Sequence, residues 1–85
     1  MLKITHKIKD RNGIHARPAG LLATESKKFK SKIMIEKGEK KANAEKIFEV
    51  MSLCVKGGEE IVLTIEGEDE TQAFDALAVF LEKNL

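Results

Sequence analysis

Leu2-Lys3-Ile4-Thr5-His6-Lys7-Ile8-Lys9-Asp10-Arg11-Asn12-Gly13-Ile14-His15-Ala16-Arg17-Pro18 changes its hydrophobic period partway along. Leu2, Ile4 and Ile8 alternate with Lys3, Thr5, Lys7 and Lys9, a period of two that predicts a half-buried strand with His6 on its apolar side. Asn12-Gly13 is a turn dipeptide, and Pro18 falls in the first turn of a helix, where a missing N–H costs no helical hydrogen bond. From Ala16 to about Lys30 the spacing is helical, with Pro18, Leu22 and Phe29 on one side together with Ala19 and Ser26.

Outward from this junction, Lys32 to Glu36 and Lys40 to Asn43 read as short strands around Lys37-Gly38-Glu39. Ile47 to Val55 reads as a short helix stopped by Gly57-Gly58, and Glu60 to Glu66 as a strand rich in β-branched residues. The last helix begins at Asp69, where Gln72 completes a capping-box pattern, and buries Ala73, Phe74, Leu77, Phe80 and Leu81. The order β-α-β-β-α-β-α predicts an α+β fold, one mostly antiparallel sheet with all helices on one face. Residues 1–85 read as a single domain without repeats, linkers or low-complexity segments.

Composition narrows the function. A chain of 85 residues buries only about 60 to 65% of its unfolded surface, so any site lies near the surface. Fifteen Lys and Arg against fourteen Asp and Glu leave a net charge of +1, which provides no overall field for gripping nucleic acid or an anionic membrane. The start of the chain lacks an apolar signal core and the longest apolar run, Ala76 to Leu81, is far short of a membrane span. A single cysteine, Cys54, forms no internal disulfide and is expected to be a small buried hydrophobe, and a cytoplasmic protein is expected. No paired carboxylates, nucleotide loop or metal-spaced His and Cys cluster points to independent catalysis, a cofactor or a metal.

One constellation carries chemistry. Asn12-Gly13-Ile14-His15-Ala16-Arg17-Pro18 places His15 at or next to a helix N-cap, where free backbone N–H groups favour an anion attached to the imidazole. Arg17 adds a fixed cation. A phosphoryl acceptor must be nucleophilic before transfer, and its product only moderately stabilised so that the group leaves again. Positive charge in an exposed loop serves both needs. On physical grounds alone, a solvated histidine at a cap is the plain alternative.

The whole string favours the former. Gly13-Ile14-His15-Ala16-Arg17-Pro18-Ala19 closely resembles the active-site signature of HPr, the histidine-containing phosphocarrier family of the phosphoenolpyruvate-dependent sugar phosphotransferase system. The resemblance extends over the chain, through Asn43-Ala44-Glu45-Lys46-Ile47-Phe48-Glu49-Val50-Met51-Ser52-Leu53 and Gly67-Glu68-Asp69-Glu70. It implies an open-faced β-sandwich, a four-stranded antiparallel sheet backed by three helices. It further implies that His15 receives phosphate on Nδ1 from enzyme I and donates it to the A component of a sugar permease, with Arg17 contacting the phosphoryl group. Ala16 and Pro18 complete this site, and Asn12 assists from the loop. The protein would be a covalent intermediate in a relay and not itself an enzyme.

A docking surface is expected beside His15. The second helix is apolar around most of its circumference, so Ile47, Phe48 and Met51 should form an exposed patch on a small monomer. On the first helix, the face turned from the core carries Ala16, Gly20, Ala23, Thr24 and Lys27, small residues that permit close approach with a cation at one end. In the resembling family these faces bind both enzyme I and the permease component. Lys27, Lys28, Lys30 and Lys32 form the densest basic cluster, most of it a solvated face.

Two residues depart from the family pattern. Many members carry, at the start of the second helix, a serine that a kinase phosphorylates to control catabolite repression; Lys46 stands there instead and removes that switch. Glu49 puts an acid beside the patch. Both leave room for a regulatory branch, in nitrogen phosphotransfer or phosphorylation of a dihydroxyacetone kinase. A docking module without phosphorylation is a further alternative, indifferent to His15→Ala. RNA binding is disfavoured, since three of the four Phe, Phe48, Phe74 and Phe80, fall in predicted helices, Phe29 lies at the end of the first helix, and Tyr and Trp are absent.

Overall fold

Four stretches with alternating side chains pair edge to edge in the computed structural model, which describes residues 1–85. These are β1 (Leu2–Lys7), β2 (Lys32–Lys37), β3 (Lys40–Asn43) and β4 (Glu60–Glu66), joined by α1 (Ala16–Ser26), α2 (Ile47–Ser52) and α3 (Glu70–Asn84). The sheet runs β1-β4-β2-β3, with every neighbouring pair antiparallel. Leu63 of β4 sits opposite Ile4 of β1 on one side and Ile35 of β2 on the other, so the central strands place Ile33, Ile35, Ile61, Leu63 and Ile65 on one face.

That face packs against Leu22 of α1, Val50 of α2 and Leu77 and Leu81 of α3 in one apolar core. Burying each side chain of the size of Ile35 or Leu63 stabilises the fold by about 1.5–3 kcal/mol. The opposite face, with Lys3, Met34, Glu36, Thr64 and Glu66, opens to solvent, so the predicted open-faced sandwich with the order β-α-β-β-α-β-α is what forms. His6 is buried, as its place on the apolar side of β1 predicts.

Several local expectations give way to tertiary contacts. The first helix ends at Ser26 and not near Lys30, because the N–H groups of Lys30 and Ser31 donate to the Asp69 carboxylate at 2.8 and 2.9 Å. With those N–H groups taken, the helix cannot propagate. The same contacts undo the predicted capping box: Asp69 is the N-cap residue of α3, but its side chain makes no cap hydrogen bond and bonds Ser31 instead. Gly67 donates its N–H to Glu70 Oε1 at 3.2 Å. The second helix stops at Ser52, short of Val55, with Cys54 in the left-handed region at φ 53°. That turn points Cys54 outward, so the expectation of a buried thiol is wrong. No helix is long and apolar enough to cross a membrane.

Candidate functional site

The loop between β1 and α1 is held from two sides before it delivers His15. Ile14 N–H donates to the Val55 carbonyl at 3.1 Å, and Gly13 N–H to the Asp10 carbonyl at 2.9 Å. Gly13 takes φ +66°, where a Cβ would overlap the Val55 carbonyl oxygen, so glycine is required by both conformation and space. On the other flank the N–H groups of Lys9 and Asp10 donate to the Leu85 carbonyl at 2.6 and 3.3 Å. Lys9 Nζ also bonds Glu82 Oε2 at 2.8 Å, and this hydrogen bond holds the Glu82 carboxyl below the usual range. The end of α3 therefore fixes the base of the loop.

His15 is the N-cap residue of α1, with extended backbone at φ −98° and ψ −172°, and its ring makes no cap hydrogen bond. The side chain is 44% exposed. The N–H groups of Ala16 and Arg17 have no acceptor within the helix and add the partial positive charge of a helix start. A partly open cavity of about 260 Å³ adjoins the ring, lined by Asp10, His15, Arg17, Pro18, Leu21, Lys83 and Asn84. Neither Arg17 nor Lys83 is engaged in an ion pair, so both cations are free to meet an anion. Asp10 supplies the one carboxylate: its Oδ1 accepts the Asn12 N–H at 2.9 Å and its Oδ2 lies 3.7 Å from His15 Nε2. No group of three or more His, Cys, Asp or Glu side chains is arranged to hold a metal.

The structure thus brings together His15, Arg17 and Pro18 from the predicted set. Ala16 is exposed at the helix start, and Asn12 lies on the turn outside the cavity lining. Asp10, Leu21, Lys83 and Asn84 were not foreseen. The Asp10-Arg11-Asn12-Gly13 string carries a local signal for Asp10, since an aspartate two residues before an accessible N–H forms an Asx turn. Lys83 and Asn84 arrive from the far end of the chain and no local pattern places them there.

Beside the cavity, Gly20 approaches α2, where a Cβ at Gly20 would come 3.9 Å from Ile47 Cδ1. Phe48 is 86% exposed and Ile47 38%, a pair of large apolar side chains turned to solvent. Met51 is only half-buried and packs against the core, so it contributes part of its surface and is not the free member expected. Thr24 is exposed on α1, and so is Lys27, the C-cap residue that follows it. Ala23 is a correction: it is 2% exposed, because α1 is flanked by both α2 and α3 and its apolar side wraps further round than a single sheet face would require. Lys46 is the N-cap residue of α2 without a cap hydrogen bond, and it pairs with Glu49 at 3.7 Å.

Comparison with known proteins agrees with this geometry. The family model described as the PTS HPr component phosphorylation site matches residues 2–83. The phosphocarrier protein HPr of Lysinibacillus sphaericus is 49% identical over 69 residues, covering 81% of this chain and 78% of the relative. The HPr-like protein Crh of Halalkalibacterium halodurans is 46% identical over 77 residues, covering 91% of this chain and 92% of the relative. A solved histidine-containing phosphocarrier protein of Mycoplasma superposes with a TM-score of 0.93 at 39% identity, covering 96% of this chain and 93% of the other. An HPr of Thermoanaerobacter tengcongensis, 43% identical with a TM-score of 0.76 over 98% of this chain and 95% of the other, was solved as a dimer. Because sheet order, the turn-to-helix histidine and the family match all span the same length of chain, the protein belongs to the HPr family of phosphocarriers.

Proposed function

We propose that His15 accepts a phosphoryl group on Nδ1 from phosphorylated enzyme I and passes it to the A component of a sugar permease. The observation that carries this reading is the half-exposed His15 at the start of α1, beside a cavity whose two cations, Arg17 and Lys83, have no anionic partner. Arg17 contacts the phosphoryl oxygens, and the helix start supplies N–H donors for the same charge. A partly open cavity suits a carrier, since donor and acceptor must each reach the same nitrogen in line. Gly20, Thr24, Lys27, Ile47, Phe48 and the exposed part of Met51 form the surface on which both partners dock, and a monomer leaves that surface open. Incubation with phosphoenolpyruvate and enzyme I tests the role: acid-labile phosphate should appear on the protein and be absent from His15→Ala. Labelling that survives His15→Ala refutes it.

A regulatory branch is the second reading, favoured by the 46% identity to an HPr-like Crh protein and by Lys46 in place of a serine at the start of α2. Under it, His15 still takes phosphate from enzyme I, but transfer to sugar permease A components is absent.

A further inference from the structure

Asp10 is the one carboxylate in the cavity beside His15, where an anion would be expected to hinder an anionic cargo. Its placement is nevertheless rigid. The Asp10 carbonyl accepts the Gly13 N–H at 2.9 Å, its Oδ1 accepts the Asn12 N–H at 2.9 Å, and its own N–H donates to the Leu85 carbonyl at 3.3 Å. The Gly57 backbone closes on it from behind, since a Cβ at Gly57 would come 2.7 Å from the Asp10 carbonyl oxygen. With Oδ1 engaged, Oδ2 faces His15 Nε2 at 3.7 Å, and the ring makes no hydrogen bond of its own.

We infer that Asp10 is a positioning residue that keeps the neutral His15 ring in the tautomer protonated at Nε2, so that the lone pair resides on Nδ1. A neutral imidazole carries one N–H, and at 3.7 Å, beyond hydrogen-bond range, the Asp10 carboxylate acts through its charge, favouring the tautomer that turns the N–H dipole toward it. In the transfer step the Nδ1 lone pair forms the N–P bond while the bond from phosphorus to the donor breaks and its electron pair leaves with the donor. The Nε2 proton stays in place throughout. On the return step the N–P electron pair goes back to Nδ1 as phosphorus bonds the acceptor, and the starting tautomer is recovered. The Coulomb interaction at the surface is modest, so the effect on tautomer populations and transfer rate is about two- to fivefold.

The tautomer half of this inference stands without phosphorylation, and the rate half rests on the proposed carrier role. Asp10→Asn is the informative variant because the amide oxygen can still accept the Asn12 N–H, keeping the turn, while its NH2 replaces Oδ2 and offers Nε2 a donor. Two-bond 1H–15N correlation spectra of the intact protein read the His15 tautomer directly. The wild type should be dominated by the Nε2–H form, Asp10→Asn should shift the population toward Nδ1–H and slow phosphorylation by enzyme I by about two- to fivefold, and Asp10→Glu should restore part of both. A wild type dominated by Nδ1–H, an Asp10→Asn spectrum with the same tautomer ratio, or an unchanged transfer rate overturns the inference. Absence of any label in the wild type overturns the carrier role, while the spectra still decide the tautomer.

Discussion

Gly13→Ala should be far more damaging than another glycine substitution at the same backbone angle. Gly13 sits at φ +66°, and a Cβ there would overlap the Val55 carbonyl oxygen and come 2.8 Å from Lys56 Cα. Both atoms belong to backbone that cannot rotate aside. Left-handed alanine costs about 1–2 kcal/mol, displacing packed backbone about 1–3 kcal/mol, and loss of the Ile14-to-Val55 hydrogen bond about 1 kcal/mol. Against these, the stiffer unfolded chain returns about 0.4–1 kcal/mol. The net expectation is a loss of about 2–6 kcal/mol, a large share of the roughly 4–13 kcal/mol available to a chain of this length. Gly38→Ala is the control, since Gly38 has φ +59° but nothing within 4 Å of the added methyl. It should cost only about 1 kcal/mol. Urea denaturation with a shared m-value measures both, and the difference isolates the steric part. Equal losses within about 1 kcal/mol would falsify the claim that Val55 and Lys56 wedge the loop against His15.

Three further outcomes follow from the same structure. Phe48→Ala should change stability by less than about 0.5 kcal/mol, because the ring is 86% exposed, yet weaken binding to enzyme I by about tenfold or more in calorimetric titration. Lys46→Ser should raise the urea midpoint, adding about 0.5–1 kcal/mol, because serine caps α2 where lysine makes no cap hydrogen bond; no gain would show that this helix start is satisfied otherwise. Asp69 is held below its ordinary value of 3.8 by the Ser31 hydroxyl and then the Lys30 N–H. A carboxylate depressed on folding adds stability that is whole above its unfolded value and is lost as pH falls through the folded one, so melting temperature should drop on acidification below about pH 4. That drop should be shallower in Asp69→Asn, and an identical pH profile would remove Asp69 from the account.

What the sequence determined by itself is what depends on neighbours along the chain. Period-two alternation in Leu2–Lys7 and Glu60–Glu66, helical spacing around Leu22 and Leu77, and the Asn12-Gly13 turn ahead of Pro18 are local properties, and they place His15 at a helix start without further information. Exposure of Phe48 was legible for the same reason, since a short helix that is apolar around most of its circumference cannot bury every apolar side chain against one sheet. Tertiary structure decided what depends on competition between distant groups. Asp69 carries the pattern of a cap, but Lys30 and Ser31, 39 and 38 residues away, offer donors that outcompete its own helix and end α1 as well. Ala23 turns inward because two helices flank α1, and Cys54 turns outward because the chain reverses into the left-handed region to bring Val55 beneath Ile14. Lys83 reaches the cavity of His15 only because the end of α3 closes on Lys9 and Asp10, a contact between opposite ends of the chain that no local periodicity encodes.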